Sequence, residues 1–96
     1  MIYLDSAATS LIKPVCVERA VVGAMRTMAS PGRGGHLPAL RAAEEVYAAR
    51  EAAAELFHME DGTRVVFTSN ATHALNIALA SLAGAGTRVV ISGFEH

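Results

Sequence analysis

Cysteine is almost absent from this chain. Cys16 is the only one in 96 residues, which excludes an intramolecular disulfide framework and points to a reduced setting. Lysine is as scarce, with Lys13 alone. Aromatic residues are few and no low-complexity tract occurs, a globular composition. Neither sign of charge dominates: eight Lys plus Arg against nine Asp plus Glu give a formal net charge of −1. That excludes a basic nucleic-acid face and a like-charged tail. The most apolar stretch, residues 71–85, is too short to span a bilayer and carries Asn76. The opening residues 1–5 lack the basic region and long apolar run of a signal peptide, so a cytoplasmic location is expected. No pair of histidines has zinc-ligand spacing, and no metal site is expected.

What remains is about half apolar and fits one small domain or part of a larger one. Ile2-Tyr3-Leu4 reads as a short extended segment before a polar turn at Asp5-Ser6. Pro14 suits the first turn of a helix, where its missing N–H is no loss. Val17, Val21, Met25 and Met28 recur as a helical stripe. Residues 30–35, with three glycines and a proline, end that helix in a loop. A second helix is expected from Leu37 to His58, with Leu40, Ala43, Val46, Tyr47, Ala54 and Phe57 on one face. Arg50 falls within that apolar face, where a guanidinium needs carboxylate or carbonyl partners near Asp5 or Ser69.

After a turn at 59–63, residues 64–68 read as a strand, 71–83 as a helix and 87–92 as a strand. Gly84 and Gly86 stop the helix. The pattern predicts a βαβ unit in an α/β fold of αβαβ order, its strands parallel and its sheet incomplete. One segment, 1–96, is expected, divided into an arm, helix and glycine loop over 1–36 and a long helix plus βαβ unit over 37–96.

Thr68-Ser69-Asn70-Ala71-Thr72-His73 joins the first expected strand to the helix. Such a turn leaves backbone N–H groups free at the positive end of the helix dipole, an anion site suited to phosphate. The alternative is an ordinary turn in which Asn70 or Thr72 caps the helix. Ligands in open α/β sheets sit at strand C-terminal ends. The dinucleotide pattern fails, because Gly32 and Gly34 are followed by Leu37.

His96 follows the second expected strand, on the same sheet edge as residues 68–72, where an imidazole can stack on a flat ligand. His36 reads as a rim residue of the glycine loop. His73, in a helix first turn, reads as a neutral surface group, and His58 as structural. Cys16 reads as a small packed hydrophobe. Lys13 precedes a proline in an exposed turn and lacks the desolvated pocket of a Schiff-base lysine.

Several stretches together resemble one family. They are Tyr3-Leu4-Asp5-Ser6-Ala7-Ala8-Thr9 with Lys13-Pro14, Gly32-Arg33-Gly34-Gly35-His36, Ala49-Arg50, residues 66–72, Ala74-Leu75-Asn76 and Glu95-His96. In order and spacing they are similar to the class V aminotransferases, and within them to cysteine desulfurases of the NifS/SufS-like kind. The resemblance implies the N-terminal part of a PLP-dependent transferase (fold type I) large domain, in a homodimer. It implies pyridoxal 5′-phosphate as cofactor, with Ala71 and Thr72 holding its phosphate and His96 stacking on its ring as the catalytic-site histidine. Ala8 and His36 would line the substrate entrance. His73 departs from the pattern, since many members carry Glu there.

The implied reaction converts L-cysteine to L-alanine, with sulfur passed to an enzyme cysteine persulfide and on to an acceptor protein. It needs a cofactor lysine, an aspartate on the ring nitrogen and a nucleophilic cysteine. In the family these lie beyond the Glu-His pair, so the chain alone is expected to be inactive. Another class V activity (transaminase, epimerase or selenocysteine lyase) and a non-catalytic split or truncated fragment are the alternatives. A nucleotide-binding βαβ module ranks behind them.

Overall fold

The computed structural model describes residues 2–95. Its elements in chain order are α1 (Val15–Thr27), α2 (Leu37–Leu56), a 3-10 turn (Gly62–Arg64) and α3 (Ala71–Leu82). The described residues gather into two compact units that divide between Val65 and Val66.

The strand expectation is overturned. No strand forms among the described residues: 64–68 and 87–92 carry no sheet ladder, and Arg64 belongs to the 3-10 turn. The α/β assignment with αβαβ order and parallel strands therefore gives way to a helical arrangement. The physical reason lies in where hydrogen bonds close. A helix satisfies its N–H groups four residues back, within one segment, whereas a strand needs a neighbour. Apolar, β-branched composition creates a preference for strand but supplies no neighbour. Most side chains of these runs accordingly stand in solvent, with Val66 74%, Val90 87% and Ile91 78% exposed, while Val65 and Thr68 are half-buried.

In the first unit, α1 starts directly after Pro14, which occupies the N-cap position without a side-chain cap. Glu18 in the first turn and Arg26 in the last complement the helix dipole. Beyond α1, Ala29 N–H donates to the Pro38 carbonyl at 3.2 Å, tying the glycine loop to the start of α2. His36 opens α2, its Nδ1 accepting from Ala39 N–H at 3.4 Å, and Pro38 in the first turn fits a position whose N–H is orphaned anyway.

The buried stripe of α2 matches the expected one at Ala54 but not at its larger side chains. Ala39, Ala42 and Ala54 are the buried apolar residues, while Leu40, Tyr47 and Phe57 remain largely exposed. Gly62, itself buried, packs against α2 and donates its N–H to Glu51 Oε1 at 3.0 Å.

The C-terminus of α2 stops two residues before the expected His58. Met59 N–H donates to the Ala54 carbonyl at 2.9 Å and His58 N–H to the Glu55 carbonyl at 3.2 Å. These are the paired bonds of a Schellman motif, and they require a left-handed residue, His58 with φ 53°. In the second unit, α3 ends at a turn in which Thr87 N–H donates to the Gly84 carbonyl at 3.1 Å. Gly86, with φ 86°, takes the third position of that turn, where a type II geometry demands positive φ.

Candidate functional site

The N-terminal end of α3 is built by a short web of bonds within residues 68–76. Thr68 Oγ1 donates to the Asn70 carbonyl at 2.9 Å. Asn70, extended with φ −169° and ψ 173°, is the N-cap, and its Oδ1 accepts from His73 N–H at 2.8 Å. The Asn70 carbonyl also accepts from Ala74 N–H at 3.1 Å, closing the first helical turn. The capping alternative weighed from the sequence is thus realised by Asn70. It consumes the His73 and Ala74 donors and leaves the N–H groups of Ala71 and Thr72 at the open, positive end of the helix.

Two side chains brace the turn. Ser69 Oγ stands 2.9 Å from His73 Nδ1, and Asn76 Nδ2 donates to the Thr72 carbonyl at 2.9 Å. His73 is therefore engaged rather than idle. The four-residue spacing to Ser69 across a helix start is the sequence signal for that contact. The donor chemistry of the turn suits a phosphate: backbone N–H groups of Ala71 and Thr72, the hydroxyl of Thr72, and no carboxylate anywhere in 66–73.

Ala71 and Thr72 are adjacent by sequence and exposed on this helix end. Ala8 lies in the first unit, in a turn where Ala8 and Thr9 N–H groups donate to the Asp5 carbonyl at 3.2 and 3.3 Å. Tyr3 pins the same turn, its hydroxyl donating to the Thr9 carbonyl at 2.6 Å. A shallow concavity beside it is lined by Tyr3, Ser6, Ser10, Leu11 and Ile12. His36, expected as a rim residue, is the cap of α2, and its ring folds back over Gly34. Pro38 two residues on was the available signal for that role. His96 lies outside the described residues. Next to it in sequence, Glu95 Oε1 accepts from the Ser92 hydroxyl at 2.8 Å.

Lys13 Nζ donates to the Ser10 carbonyl at 2.7 Å on an exposed turn, and Cys16 is exposed on α1. Elsewhere in the first unit, Thr63 N–H at 2.8 Å and the Thr63 hydroxyl both donate to Asp61 Oδ1, and hold this carboxyl below its ordinary range. The Glu51 carboxylate one turn along α2 pushes the Tyr47 hydroxyl up, because a second negative charge beside it is unfavourable. Among the described residues, no group of three or more His, Cys, Asp or Glu converges as a metal ion would need. No helix there is long and apolar enough to cross a membrane.

Comparison with known proteins places these features in a family. The sequence model of "Aminotransferase class-V" matches residues 2–96. A probable cysteine desulfurase of Halalkalibacterium halodurans is 35% identical over 101 residues, covering 100% of this chain and 25% of the relative. The cysteine desulfurase IscS of Vibrio vulnificus is 36% identical over 101 residues, covering 99% of this chain and 25% of the relative. A probable cysteine desulfurase of Methanothermobacter thermautotrophicus is 34% identical over 97 residues, covering 99% and 24%. The chain spans about a quarter of the length of the curated relatives it matches. No solved structure matches. With the family's sequence pattern running through essentially every residue described above, this chain belongs to the class V aminotransferases.

Proposed function

We propose that this chain supplies the phosphate-holding part of a pyridoxal 5′-phosphate-dependent cysteine desulfurase. The observation that carries the reading is the open end of α3, where Asn70 caps the helix through the His73 N–H and leaves the Ala71 and Thr72 donors to an anion. Family membership and relatives named cysteine desulfurases support it.

In this reading the Ala71 and Thr72 N–H groups and the Thr72 hydroxyl donate to phosphate oxygens. Such charge-assisted bonds are stronger than neutral ones. Asn70 fixes the direction of the helix end, and the Ser69–His73 contact holds the preceding residue against the first turn. His96 stacks on the cofactor ring, and Ala8 and His36 border the route taken by L-cysteine. When bound, pyridoxal phosphate supplies an electron sink for reactions at the amino-acid carbon. The cofactor lysine and the sulfur-accepting cysteine are not assigned to Lys13 or Cys16, which sit on exposed surface of the first unit. A homodimer, a cytoplasmic location and a sulfur-acceptor protein complete the proposal.

The test compares pyridoxal phosphate with pyridoxal, which lacks the phosphate. Equilibrium dialysis should give at least about tenfold tighter binding of the phosphorylated compound, as a few charge-assisted bonds require. Thr72→Val should narrow that ratio. Equal affinity for the two compounds overturns the reading.

A further inference from the structure

We draw no further inference here: the strongest candidate, the Ser69–His73 pair bracing the N-terminal end of α3, belongs to the site already described and carries no second observation pointing to a ligand of its own.

Discussion

Gly62 N–H donates to Glu51 Oε1 at 3.0 Å, and the two residues are so close that a β-carbon on Gly62 would stand 2.5 Å from that oxygen. The same β-carbon would lie 3.0 Å from the Glu51 backbone nitrogen and 3.1 Å from the Arg50 carbonyl carbon. Gly62 is therefore where the 3-10 turn docks on α2, and the absence of a side chain is what permits the contact.

Gly62→Ala should destabilise the first unit by about 1–3 kcal/mol, the range for overpacking a tight contact. Glu51 can swing away only by surrendering its bond to the glycine N–H, and the backbone atoms behind it cannot move so cheaply. Urea unfolding followed by circular dichroism reads the effect. An unchanged midpoint would show that the turn does not dock there.

His58 is the opposite case. Its φ of 53° closes the Schellman motif at the end of α2, in a region that disfavours residues with a β-carbon. His58→Gly should raise stability by roughly 0.5–1 kcal/mol, the left-handed penalty being partly offset by the greater freedom of glycine in the unfolded chain. A lower melting temperature for the glycine variant would contradict this.

Asn70 caps α3 through one bond at 2.8 Å. Asn70→Ala should cost about 1 kcal/mol and reduce helicity, while Asn70→Asp, which keeps the acceptor, should retain both. Equal loss in the two variants would point away from the cap.

Asp61 gives a pH dependence. Both bonds from Thr63 favour its ionised form, so its folded pKa lies below the unfolded value of about 3.9. The stabilisation is present above that unfolded value and is lost as pH falls through the lower folded one. NMR titration of the Asp61 carboxyl should show the lowered midpoint, and Thr63→Val should bring it back up by removing the hydroxyl donor. A midpoint indifferent to that substitution would assign the shift elsewhere.

The helices were legible in the sequence because their determinants are local. Pro14 and the Val17–Met28 stripe located α1, the apolar periodicity from Leu40 to Phe57 located α2, and the turn ending at Asn70 located the start of α3. Which stripe of α2 becomes buried was less legible. Ala39 and Ala42 are buried while Leu40 is exposed, because burial depends on which face a neighbouring segment covers, and periodicity alone does not name that segment. The strands over 64–68 and 87–92 were misread for a nonlocal reason: Val65, Val66, Val89, Val90 and Ile91 suit a sheet, but pairing depends on residues far away in sequence. The capping alternative at Asn70 was visible from its position before the helix. The His73 contact with Ser69 and the capping by His36 were missed, although Ser69 stands four residues before His73 and Pro38 two residues after His36.

The central claim is that the open end of α3 receives a phosphate. The most direct measurement is the amide spectrum of the isotopically labelled chain as pyridoxal phosphate is added, with pyridoxal as the control. The account predicts saturable shifts at Ala71 and Thr72 with the phosphorylated compound, absent with pyridoxal and reversed by excess inorganic phosphate. Unmoved Ala71 and Thr72 amides, or shifts of equal size with pyridoxal, would contradict it.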